Sequence, residues 1–222
     1  MSTECEIIMD ELRDKSILIE SHVDFPFSLL FHISIPPPDY RHVFVLTDLD
    51  YFKVQKLFNL VNSSFNSDIK VSDYDIVRIG KTEESGVMEV RAEYSDHVAV
   101  VGGLKQILDS IQYDRVFVSI LSLSTLIRFG GEGFLEKFYE LSAWLTDRRI
   151  LYSGTVNPDM LDAHELASIR SMFDIVLELY TEEAYSIFEE IYFAKVLKTL
   201  DPNLRHRCYS LKLSESLRFH KV

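Results

Sequence analysis

The sequence predicts an α/β fold, a three-layer sandwich with a mostly parallel central sheet and an antiparallel C-terminal edge. Three observations point there. Six short, nearly continuous apolar runs recur along the 222 residues, as strands covered on both faces do. Most are separated by stretches with apolar residues at helical spacing, the alternation that a parallel sheet requires. The last stretch alternates instead, with Tyr209, Leu211 and Leu213 set against Ser210, Lys212 and Ser214, the period of a half-exposed strand pair.

Taken in order, an amphipathic lead from Ile7 to Leu12 precedes the first strand, Ser16 to Glu20. His42 to Thr47 is the second strand and Tyr74 to Ile79, stopping at Gly80, the third. Arg115 to Ser122 is the most apolar; Ile150 to Gly154 and Asp174 to Leu179 complete the six. Helices are expected from Tyr51 to Val61 behind an Asp50 cap, from Val98 to Ile111, from Gly133 to Thr146 and from Asp162 to Met172. A longer one, capped by Thr181, is expected from Glu182 to Leu200, where Pro202 and Asn203 break it. Pro36-Pro37-Pro38 reads as a tight loop, and no linker divides the chain. Residues 1–222 thus read as a single domain, with 181–222 as an added C-terminal helix plus edge strands.

A hydrophobic fraction of 47% and an aromatic fraction of 12% belong to a chain that buries a core. No apolar run reaches the roughly 20 residues that span a bilayer, and the acidic start, Met1 to Asp14, lacks a secretory layout. A cytoplasmic protein with no membrane partner is the expectation. Cys5 and Cys208 read either as two thiols or as a staple between the ends. The net charge of −12 argues against nucleic acid as a partner. The balance is uneven, for Lys195 to Val222 carries seven Lys/Arg against two Asp/Glu. That basic end packs beside the acidic body, or its mate's, or meets an external acidic partner.

The central strand carries a family resemblance. Asp114 to Leu126 reads Asp-Arg-Val-Phe-Val-Ser-Ile-Leu-Ser-Leu-Ser-Thr-Leu. It is similar to the strand of RecA- and KaiC-like ATPases that runs into Asp-Ser-Leu-Ser-Thr-Leu, with Leu121 in place of the Asp that holds the Mg²⁺ shell. The strand and helix order agrees, and Phe134 to Leu179 resembles the archaeal members, closing on Asp-Ile-Val-Leu-Glu-Leu. Such a resemblance implies a P-loop-NTPase-like fold. Residues 15–20 would then be the strand entering a phosphate loop, but the chain continues as Ser21-His22-Val23-Asp24-Phe25-Pro26-Phe27-Ser28. A phosphate loop needs glycines, a lysine and a Ser/Thr hydroxyl. The first glycine here is Gly80, and no lysine lies between Lys15 and Lys53. The expectation is an inactive ATPase homologue with no cofactor, no metal and no catalytic residue, working through a protein partner or as a homo-oligomer.

The same placement singles out candidate residues. His22, Asp24 and Ser28 at the degenerate loop, with Asp48 and Asp50 after the second strand, are the ligand candidates. The resemblance gives Asp48 and Asp50 a water-polarising role, which has no object without a bound triphosphate; helix capping is the favoured reading of both. A crevice so lined offers the alternative of nucleotide or small-ligand binding without hydrolysis. Gly130, Gly131 and Gly133 read as a flexible connection after the central strand. Ser119, Ser122, Ser124 and Thr125 read as hydroxyls bonding nearby backbone. Tyr185, Phe188 and Tyr192, on one face of the last expected helix, are the interface candidates.

Overall fold

The structure, a computed structural model, describes residue 12 and residues 15–22, 39–47, 51–65, 70–80, 87–181, 191–205, 207–212 and 218–221. Ten strands form one sheet: β1 (Ile17–Ser21), β2 (Arg41–Leu46), β3 (Asp75–Ile79), β4 (Met88–Val90), β5 (Val116–Leu121), β6 (Leu151–Val156), β7 (Ile175–Thr181), β8 (Ile191–Lys198), β9 (Cys208–Lys212) and β10 (Arg218–Lys221). Their order is β10-β9-β8-β7-β1-β6-β5-β2-β3-β4. From β7 through β4 every neighbour is parallel, and from β7 to β10 every neighbour is antiparallel. All six expected strands form within two residues of their expected bounds.

Among the described residues, four helices lie in the connections between strands: α1 (Tyr51–Phe65), α2 (His97–Ser110), α3 (Leu123–Asp147) and α4 (Ala163–Ser171). The two-residue strand period assigns the faces. Leu18, Val43, Val45, Val118 and Ile120 point to one side, where α2, α3 and α4 add Leu104, Phe138 and Ile169. Phe44, Leu46, Ile76 and Leu121 point to the other, where α1 adds Val54, Phe58 and Val61. Farther along that second face Ile17, Ile19 and Leu177 pack with Tyr192, Ala194 and Val196. No helix among the described residues is long and apolar enough to cross a membrane.

Helix ends reflect local chemistry. Asp96 caps α2 by accepting from the Ala99 amide at 3.0 Å. Asp162 opens α4 with a capping box: its carboxylate takes the His164 and Glu165 amides at 2.8 Å, and the Glu165 carboxylate accepts the Asp162 amide at 2.9 Å. At the other end of α4, the Lys198 ammonium donates to the carbonyls of Arg170 and Phe173, satisfying acceptors the helix leaves open.

Two expectations fail here. Thr181 ends β7, and residues 191–198 are strand β8, not the second half of a helix. Tyr192, Ala194 and Val196 alternate inward at about 3% exposure, so a period of two, driven by the partnership of β8 with both β7 and β9, overrides a helical reading of aromatic spacing. Tyr192 is therefore core. Tyr185 and Phe188 lie outside the described residues, as does the rest of 182–190. The glycines after the central strand also differ from expectation. Gly130, Gly131 and Gly133 sit inside α3, which begins at Leu123, and Gly131 kinks it at φ 58°, ψ −150°. A Cβ at Gly133 would come 2.6 Å from the His97 ring, so this glycine permits α2 and α3 to approach.

Candidate functional site

In open parallel sheets, ligands gather beyond the carboxyl ends of the strands, where the chain departs in opposite directions from neighbouring strands. Here that point lies between β1 and β6. From β1 the chain goes to β2, past β6 and β5; from β6 it goes to β7, past β1. His22 comes directly after β1, and the 3-10 turn Pro158–Met160 comes after β6. The His22 Nδ1 and Asp159 Oδ2 atoms meet at 2.9 Å, with the side chains 38% and 63% exposed. Of the sequence candidates, His22 thus stands at the crevice, with Asp159 as a partner. Asp24, Ser28, Asp48 and Asp50 lie outside the described residues.

Behind this pair, hydroxyls lace three strand ends together. Ser122, directly after β5, takes a left-handed conformation at φ 64°, ψ 56°, uncommon for a residue other than glycine. Its amide donates to Thr155 Oγ1 at 2.7 Å, and its hydroxyl lies 3.0 Å from Thr125 Oγ1. The Thr47 hydroxyl donates to the Leu121 carbonyl at 2.9 Å, and the Tyr94 hydroxyl donates to the Thr47 carbonyl. Ser124 accepts the Asn157 amide at 2.7 Å, while the Asn157 side chain accepts the Asp159 amide at 3.0 Å. These bonds satisfy backbone groups that strand ends leave open. Their sequence signal was the hydroxyl run Ser122 to Thr125; Thr155, Asn157 and Asp159 could be found only from the strand order.

Leu121, the last residue of β5, is 1% exposed and packs among Phe44, Leu46, Phe58 and Ile76. Glu20, near the carboxyl end of β1, is a buried carboxylate. It is held by Arg170 of α4 through Nε–Oε1 and Nη2–Oε2 contacts of 2.6 Å each. The bond to Glu20 raises the Arg170 pKa above its ordinary value. Along the same edge, beyond β3 and β4, a cavity of about 750 Å³ is lined by Arg78, Gly80, Arg91, Glu93 and Tyr94.

One buried pairing had no sequence signal. His42 Nε2 lies 2.8 Å from Ser119 Oγ, which lies 3.0 Å from Ser153 Oγ, a row crossing β2, β5 and β6. Ser119 therefore bonds side chains, where backbone partners were expected. With His42 at 2% and Ser119 at 0% exposure, no substrate reaches the serine, and desolvation pushes the His42 pKa well below 6.5. The row works as internal hydrogen bonding, not as an activated nucleophile.

No protein-family model matches the chain, and no curated protein matches it. Solved structures do. A protein of Pyrococcus horikoshii OT3 superposes with a TM-score of 0.64 at 13% identity, over 91% of this chain and 96% of that one. A KaiC-like protein of the same hyperthermophilic archaeon gives a TM-score of 0.64 at 12% identity, over 93% and 89%. The flagellar accessory protein FlaH of Methanocaldococcus jannaschii gives 0.57 at 16% identity, over 94% and 89%. The fold is RecA/KaiC-like.

Proposed function

We propose that this chain is a non-catalytic RecA/KaiC-like domain that acts through protein–protein contact, by self-association or with another protein. The observation carrying this reading is Leu121. A hydrolysing member needs a carboxylate at the end of this strand to hold the water shell of Mg²⁺. An apolar side chain packed under α1 can neither ligate a metal nor turn toward solvent. The segment after β1 supports the same reading through composition, since residues 21–28 contain no glycine and no lysine. Without those residues a backbone cradle and a β/γ-phosphate cation are both missing.

A second reading is retention of a nucleotide or small ligand without hydrolysis. It is favoured by the hydroxyls, His22 and Asp159 at the β1/β6 divergence, and by the neighbouring cavity beside Arg78 and Arg91. Thermal unfolding with and without Mg²⁺-ATP and Mg²⁺-GTP separates the two. The first reading expects no shift, and light scattering that reports dimers or larger assemblies as concentration rises. A rise of several degrees without phosphate release assigns the second, because a ligand that binds only the native state must stabilise it. Phosphate release abolished by chelating Mg²⁺ would overturn both.

A further inference from the structure

At the opposite, amino-terminal end of the strands lies a cavity of about 570 Å³, within the range of small-molecule sites. Its walls include Ser16 before β1, Tyr40 before β2, Asp114 and Arg115 before β5, Arg149 before β6, and Asp174 before β7. Helix α3 ends above it in a Schellman motif: the Arg149 amide donates to the Thr146 carbonyl and the Ile150 amide to the Leu145 carbonyl. That motif places Arg149 in the left-handed region at φ 57°. Glycine is the usual residue there, since it bears no Cβ. An arginine in this position is unexplained by the turn itself.

Nor do ion pairs explain it. Arg115 pairs with Asp39 and lies over the Tyr40 ring, 5.7 Å from its centroid, and Asp174 accepts both the amide and the hydroxyl of Ser16 at 2.8 Å. Among the described residues the Arg149 guanidinium has no carboxylate partner. A guanidinium fork at a cavity mouth matches a carboxylate through two parallel bonds. Tyr40 and Leu151 add an apolar, partly aromatic patch to a wall that is otherwise largely polar, a surface on which a planar organic body can lie. Arg115 is already taken up by Asp39, and with Asp114 and Asp174 also in the wall Arg149 has no second unpaired arginine beside it, which disfavours a polyphosphate.

We propose that this cavity binds a small organic monocarboxylate through Arg149, with the body of the ligand against Tyr40. The site is separate from the crevice at the carboxyl ends and does not depend on how that crevice is used. Benzoate is the probe and tripolyphosphate the contrast, read by amide chemical shifts in ¹⁵N-labelled protein. Saturable shifts at Ser16, Arg149 and Ile150 are expected with benzoate, and none with tripolyphosphate. Arg149→Gly should weaken benzoate at least roughly tenfold, the scale of a lost charge-assisted bond, while its melting temperature equals or exceeds that of the parent. Arg149→Lys, which keeps charge and loses the fork, should also weaken it. Absence of saturable benzoate shifts overturns the proposal, as does undiminished binding by Arg149→Gly. A melting temperature several degrees lower for that variant would make Arg149 a structural residue and overturn it as well.

Discussion

Leu121→Asp places a carboxylate where an ATPase of this fold would hold its metal, and the surroundings of Leu121 set the cost. The side chain is 1% exposed and lies among Phe44, Leu46, Val54, Phe58 and Ile76. Removing it, as in Leu121→Ala, should cost about 2–5 kcal/mol in transfer and cavity terms. An ionised carboxylate adds several more, since the Thr47 hydroxyl is already engaged, donating to the Leu121 carbonyl. A total near 5–8 kcal/mol would approach the whole stability of a typical domain, about 5–15 kcal/mol. Leu121→Asn, with the same shape and no charge, should be less damaging by about 2 kcal/mol or more at pH 7. The difference has a sign in pH. Burial raises the folded-state pKa of the new Asp above its unfolded value, so the penalty is full at neutral pH and shrinks as pH falls through the folded pKa. Urea unfolding of the Ala, Asn and Asp variants between pH 5 and 8 measures all of this. An Asp variant within about 1 kcal/mol of Asn at every pH, or one stabilised by Mg²⁺, would mean that this strand end is open to solvent, and the case for a non-catalytic site would fall with it.

Two further outcomes are expected. Arg170→Met leaves Glu20, 1% exposed, without its bidentate partner; breaking a buried pair costs about 3–5 kcal/mol, reduced here to about 2–3 because Arg170 is 39% exposed. The double variant with Glu20→Leu should recover most of that loss in chemical denaturation, and failure to recover would mean that Arg170 acts through packing. His42, neutral in the fold, should contribute a loss of stability in acid. Its folded pKa is depressed well below 6.5 by burial, so below pH 6.5 the unfolded state binds the extra proton and stability declines as pH falls toward the folded pKa. His42→Gln, which keeps a donor or acceptor near Ser119, should remove that share of the pH 7 to pH 5 decline; an unchanged decline would place the acid sensitivity elsewhere.

The sheet was legible because its strands are covered on both faces. Val43-Phe44-Val45-Leu46 and Val116-Phe117-Val118 have nowhere to sit except inside such a layer, and both do. Asp162 and Glu165 announced α4 through chemistry that acts within one turn. The misreadings share a cause. Tyr192 lies four residues after Phe188 and two before Ala194, so it satisfies a helical and an extended period together; the choice between them was made by β7 and β9, which a local pattern does not contain. The three glycines after β5 suggested a loose connection, yet two of them serve close contacts, Gly133 with His97 and Gly130 with Phe134. His42 and Ser119 are 77 positions apart, and only the pairing of β2 with β5 brings them together.

The strand nature of β8 also changes where a partner could bind. Had residues 182–200 formed a helix, its aromatic stripe would have been an added surface. As a strand, β8 turns Tyr192, Ala194 and Val196 into the core and leaves Lys195 and Leu197 outward, with Leu200 77% exposed beyond its end. The same pairing moves the open edge of the sheet from β7 to β10. An interaction through this region would therefore meet a strand face that carries Lys195 and Leu197 beside the stacked rings of Tyr180 and Phe193, 5.3 Å apart. That face suits an acidic partner surface, and the body of this chain is itself acidic, with 33 Asp/Glu against 16 Lys/Arg before Lys195. Under the proposed function, charge complementarity between the two parts of one sequence would favour self-association.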